Sequence, residues 1–95
     1  MSTRVPGAAI LVMASARATL SAGTVHLSLA VVEGPAAGTW KYNLADGTSH
    51  RAACGRIAGP DSHLAALRHA AGICAAGYQP GTPERGLLEQ LAAAT

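Results

Sequence analysis

The chain has 95 residues, a formal net charge of +2 with histidine neutral and a charged fraction of 13%, about half the roughly 25% of an average soluble domain. Its seven Lys and Arg, at Arg4, Arg17, Lys41, Arg51, Arg56, Arg68 and Arg85, form no run, so the strong basic footprint of an ordinary nucleic-acid-binding domain is missing. Hydrophobic residues make up 49% but aromatics only 3%, with no Phe. Alanine, which buries little area, supplies much of that count, so one small domain over 1–95 has a thin core that oligomerisation is expected to supplement.

Two cysteines, Cys54 and Cys74, are too few for a disulfide framework, and no stretch approaches the roughly 20 apolar residues of a membrane span. A cytoplasmic protein with free thiols and no membrane contact is expected. The opening MSTRVPGAAILVMASA has the order of a signal peptide: one Arg, an apolar run, then small residues ending near Ala16. The run is short, and its removal would delete a strand the sheet needs. Ala8–Ala16 is therefore read as strand, Ile10 and Val12 outweighing Met13 and the alanines. Ala22-Gly23 reads as a turn.

Thr24 to Glu33 carries the clearest period-two pattern. Val25, Leu27, Leu29 and Val31 share one face, and His26, Ser28, Ala30 and Val32 the other. Gly34 to Gly38 is a turn, and Thr39 to Leu44 a strand with Trp40, Tyr42 and Leu44 on one side. The two form a hairpin. Asp46-Gly47 is a tight-turn pair, and Ser49 to Ile57 reads as a further strand that Gly55 interrupts.

From Pro60 the pattern turns helical. Pro60 suits a first helical position, and Asp61 and Ser62 suit the cap. Leu64, Leu67, Ala71, Cys74 and Tyr78 recur at helical spacing, while Ala66, Ala70, Ile73 and Gly77 mark a second apolar side. A helix apolar on so much of its circumference packs on two partners: a sheet, and either a second helix or another subunit. The helix ends near Gly77-Tyr78. Thr82-Pro83-Glu84 opens a short C-terminal helix with Leu87, Leu88 and Leu91 as its stripe. The expected fold is α+β: an antiparallel sheet of three to four strands, a long helix and a short second one.

Candidate chemistry is sparse. G-x-S-x-G, P-loop and G-x-G-x-x-G motifs are all missing. His26 reads as half exposed. His50 and Cys54 share a strand face but stand about 13 Å apart, and His63 and His69 are about 240° apart round a helix. A zinc site would need four ligands from separate elements, with Cys54 and Cys74 meeting across strand and helix. Buried small thiols and surface imidazoles are the simpler reading, and neither metal nor cofactor is expected. As a nucleophile, Cys54, near His50, Arg51 and Arg56, is the better placed thiol; Cys74 sits in an apolar helix that raises its pKa. Lys41, His50, Arg51 and Arg56 form a modest basic patch beside Trp40 and Tyr42. Aromatics facing out would add a stacking surface there, but a domain with three aromatics needs them in its core.

The order of VHLSLAVVEG, GTWKYNLADG, HRAACGRIAG and PDSHLAALRHA resembles the first half of a ribonuclease H-like domain, over about half the chain. The resemblance implies an acid followed by Gly at the end of the first strand, which Glu33-Gly34 supplies. It also implies a Glu near the helix start, where His63 stands, and another acid on a following strand, where Thr82 instead opens a helix. Two-metal hydrolysis needs converging carboxylates. Asp46, Asp61, Glu84 and Glu89 have turn, cap, helix-start and surface roles, so only Glu33 is left and the nuclease chemistry is not expected.

These features favour a non-enzymatic binding or regulatory module that acts through protein–protein contacts, as a homodimer with a further protein partner. A small phage or mobile-element accessory or inhibitor protein fits. Its partner face is expected at Ala66, Ala70, Ile73 and Gly77. The alternatives are nucleic-acid binding by a degenerate ribonuclease H-like domain through Lys41, His50, Arg51 and Arg56, and a small cysteine- or histidine-dependent enzyme.

Overall fold

Alternating side chains build five strands: β1 (Ala9–Met13), β2 (Arg17–Ala22), β3 (Val25–Glu33), β4 (Thr39–Asp46) and β5 (Ala52–Ala58). In the computed structural model, which describes residues 5, 7–13, 17–35, 38–47 and 52–93, they form one sheet in the order β1-β2-β3-β4-β5, with every neighbouring pair antiparallel. Two helices follow, α1 (His63–Ala75) and α2 (Pro83–Ala93).

The α+β class stands, but the sheet has five strands rather than three to four. The strand missing from the sequence reading is β2, RATLSA. Arg17 and Thr19 are exposed and Ser21 half-buried, whereas Ala18, Leu20 and Ala22 are buried. The alternation is complete, yet two of its three inward residues are alanine, so the hydrophobic signal is faint. A two-residue loop, Gly23-Thr24, joins β2 to β3. Gly23 has φ +59°, a left-handed conformation that a tight hairpin needs and that glycine adopts without strain. The helices are not long and short: α1 has 13 residues and α2 has 11. Pro60 lies ahead of α1, and Ser62 is its cap, its Oγ accepting from Ala65 N at 3.1 Å. Thr82 caps α2 in the same way, accepting from Arg85 N at 3.3 Å.

The two faces of the sheet have different fates. Both helices lie on one face, α1 over β3, β4 and β5 and α2 over β2 and β3, with the helices packed on each other. The enclosed core holds Leu20, Leu27, Leu29, Leu44, Leu67, Leu87, Leu88 and Leu91, all fully buried, together with Trp40 and Ile57. Trp40 joins sheet to helix. Its indole Nε1–H donates to the Pro60 carbonyl at 2.9 Å, and the ring meets His63 edge-on at 4.8 Å.

Gly55 does not merely interrupt its strand. It pairs with Tyr42 in register, and a Cβ placed on it would stand 2.6 Å from the Tyr42 Oη. The Tyr42 ring lies across the bare backbone of β5, an arrangement in which a cross-strand aromatic covers a strand glycine.

Ala66 and Ala70 are fully buried within the chain, while Ile73 and Gly77 are exposed. The expected partner face is therefore not one open surface. Gly72 approaches Ala92 of α2, and Ala70 lies about 160° round the helix from it, so the sheet rather than a second subunit covers Ala66 and Ala70.

Two glycines should respond oppositely to alanine. Gly55→Ala displaces the Tyr42 ring and should cost about 1–3 kcal/mol, a loss that Tyr42→Leu reduces. At Gly72 the added Cβ meets only Ala92 Cβ at 4.0 Å, so Gly72→Ala should stabilise by about 1 kcal/mol through helix propensity. Urea denaturation midpoints measure both.

Candidate functional site

Among the described residues no helix lies over the second face of the sheet. The register places its side chains in rows across the strands. Arg17, Ala30, Asn43 and Cys54 form one row, and Val32, Lys41 and Arg56 form the next. Between the rows lies an open concavity of about 630 Å³, lined by Ala30, Val32, Lys41, Asn43, Cys54 and Arg56, and by Tyr42 and Gly55 of the paired strands β4 and β5. Val32 is 64% exposed, and its neighbour Val31, on the helix side, only 2%.

Charge is segregated between the two sides. All five Asp and Glu residues lie away from this face. Glu33 and Asp46 fall in phase with the helix-side residues of β3 and β4; Asp61 precedes α1; Glu84 and Glu89 sit on α2. Arg17, Lys41 and Arg56 are exposed on the open face, and none has an ion-pair partner among the described residues. Lys41 and Arg56 stand directly opposite each other across β4 and β5, a like-charge pair that is unfavourable without a counter-charge. On the helix side Arg85 is occupied: it donates to the Tyr78 carbonyl at 3.1 Å and pairs with Glu89 at 3.5 Å.

The structure thus brings Lys41 and Arg56 together, as the sequence grouped them, while His50 and Arg51 lie outside the described residues. Trp40 and Tyr42 face the helices, so they give this surface no stacking platform. Arg17 belongs to the patch and was missed, because it lies on the unrecognised strand β2; the alternation of RATLSA would have placed it.

Cys54 and Cys74 do not meet. Cys54 is exposed on the open face, and Cys74 is buried on the inner side of α1, across the sheet from it. Burial pushes the Cys74 thiol up to about 11 by disfavouring the thiolate. Burial also raises the nearby Tyr42 phenol, with smaller contributions from Cys74 and Cys54. No imidazole stands ready to act as a base for Cys54 among the described residues: His26 shares its face but lies two strands and four residues away, roughly 17 Å. Among the described residues no three His, Cys, Asp or Glu converge where they could hold a metal ion. Of the positions implied by the ribonuclease H-like resemblance, Glu33 is exposed at the end of β3 and His63 packs on Trp40. Among the described residues α2, not a strand, follows α1, and no helix is long and apolar enough to cross a membrane. In comparisons with known proteins the chain matches no family model, no curated protein and no solved structure.

The two thiols should behave differently. At neutral pH a maleimide should modify Cys54 in the folded chain and Cys74 only after unfolding, as mass spectrometry of the Cys54→Ser variant will show. The raised Cys74 pKa favours folding fully below the unfolded thiol value near 9 and ceases to do so as pH rises toward about 11. Stability measured across that window should fall by roughly 2 kcal/mol on this account, and Cys74→Ala should flatten the fall below the range where Tyr42 titrates.

Proposed function

We propose that this chain is a non-enzymatic binding module that works through protein–protein contacts and pairs with a second copy of itself. The observation that supports pairing is β1. This edge strand, AILVM, has no charge and no proline, two of the devices that keep a sheet edge from recruiting another strand. The opposite edge, β5, carries Arg56. Leu11 is 61% exposed on the open face and Val12 39% on the helix side, where α1 and α2 lie over β2 to β5.

A strand added to β1 must be apolar on both of its faces, and β1 is itself such a strand. Antiparallel pairing about Leu11 sets Ala9 against Met13 and Ile10 against Val12, with no charge opposed. The two-fold axis of such a pair stands perpendicular to the sheet. Both helix layers then fall on one side and both open faces on the other, a doubled surface suited to regulatory or accessory work rather than chemistry.

A second reading, nucleic-acid binding by a degenerate ribonuclease H-like domain, draws on the Lys41–Arg56 pair and its acid-free surroundings. It requires retention on a nucleic-acid column that falls steeply with salt and disappears in Lys41→Ala/Arg56→Ala.

Sedimentation at micromolar concentration tests the leading proposal. The chain should run as a dimer and Leu11→Lys as a folded monomer; a wild-type chain that stays monomeric at every concentration contradicts it.

A further inference from the structure

We propose that the open face of the sheet binds an extended acidic segment of a protein partner, with two carboxylates four residues apart and an apolar residue midway between them. This rests on the protein-binding reading above and adds the chemistry of the ligand.

Charge complementarity comes first. Arg17, Lys41 and Arg56 are the described cations of this face, and no Asp or Glu lies on it among the described residues. The opposed Lys41–Arg56 pair is a ready carboxylate site. An incoming carboxylate accepts two parallel N–H bonds from the Arg56 guanidinium and a third from the Lys41 ammonium, and it removes the like-charge repulsion across the strands.

Spacing comes second. Arg17 lies on β2, two strands from Lys41 and one row along, which puts it roughly 12 Å away by strand geometry. In an extended segment, side chains at i and i+4 point the same way about 13 Å apart, and i+2 lies between them. A segment crossing the face from Arg17 to the Lys41–Arg56 pair therefore satisfies both cationic sites with acids at i and i+4. It sets its i+2 side chain over Ala30 and Val32, with Asn43 beside it to bond backbone.

The composition of the face favours peptide over nucleic acid. The three cations of this face among the described residues are few for a polyanion. None of the chain's three aromatics lies on this face: Trp40 and Tyr42 point to the helices, and Tyr78 follows α1. Single-strand binders rely on such rings for stacking. The exposed Val32 offers a sugar-phosphate backbone nothing, but it covers an aliphatic side chain.

The test uses the full chain, isotope-labelled, and a blocked heptapeptide Ser-Glu-Ser-Val-Ser-Glu-Ser. Controls are the same peptide with Gln for Glu, and single-stranded oligothymidylate. Expected are saturable shifts of the amide signals at Arg17, Val32, Lys41, Asn43 and Arg56, and slower maleimide modification of Cys54. Affinity should drop at least about tenfold with the Gln peptide and with Lys41→Gln/Arg56→Gln. Absence of saturable shifts, shifts centred on the helices, or equal affinity for the Gln peptide overturns the inference. So does tighter binding of oligothymidylate at the same salt, which would assign the face to nucleic acid. Sedimentation of the same samples separates the two proposals: a dimer that ignores the peptide overturns only this one, and a monomer that binds it overturns only the self-pairing.

Discussion

The fold depends on where Trp40 places its indole. The ring is buried, donates to the Pro60 carbonyl and braces His63 at the first turn of α1. A tryptophan buries some 150–250 Å², which at about 25 cal/mol per Å² is roughly 4–6 kcal/mol as an upper bound. No other side chain of this phenylalanine-free sequence brings as much area to one point. Because Trp40 alternates onto the same side as Leu44, its hydrogen bond carries the chain leaving β5 to that side. There Ser62 caps α1, and α2 docks beside it. One tryptophan thus selects which face of the sheet is closed.

Closing one face leaves the other to be explained. Its residues are not a random sample of polar surface. The acids have gone to the helix-side ends of β3 and β4, to the approach to α1 and to α2, and among the described residues three cations surround a concavity lined by an alanine, a valine, an asparagine and a thiol. A solvated face ordinarily mixes both signs of charge, because interspersed pairs relieve repulsion at no cost in solubility. Here Lys41 and Arg56 oppose each other without relief. The same sheet ends, at β1, in a strand with apolar side chains on both sides. The two contacts proposed above answer these two features: an acidic segment would neutralise the repulsion, and a second copy of the chain would cover the apolar edge.

Much of this was legible in the sequence. The alternation in β3 and β4 was strong because leucine and valine fill the inward positions of β3 and Trp40, Tyr42 and Leu44 those of β4, and the Ser62 and Thr82 caps announced both helices. The weight of Trp40 and Tyr42 as core residues followed from their scarcity. What escaped detection had small residues where a signal was needed. β2 hid behind Ala18 and Ala22, and with it went Arg17, one of three described cations on the open face. The Ala66–Ala70 side of α1 looked uncovered because nothing in a sequence says how closely a sheet can approach an alanine helix. Small side chains let it approach until both residues vanish from the surface. Gly55 read as a defect; only the Tyr42 ring lying across it shows the reason for a bare backbone.

The claim that one face is closed by the helices and the other left open can be checked on two adjacent residues. Val31 and Val32 are neighbours in β3 with opposite exposure, 2% and 64%. In a methyl-labelled sample with a soluble paramagnetic chelate, the Val32 signals should broaden strongly, while those of Val31, Leu29 and Leu44 should stay sharp. Equal broadening of Val31 and Val32, or protection of Val32 with exposure of Val31, would contradict the account.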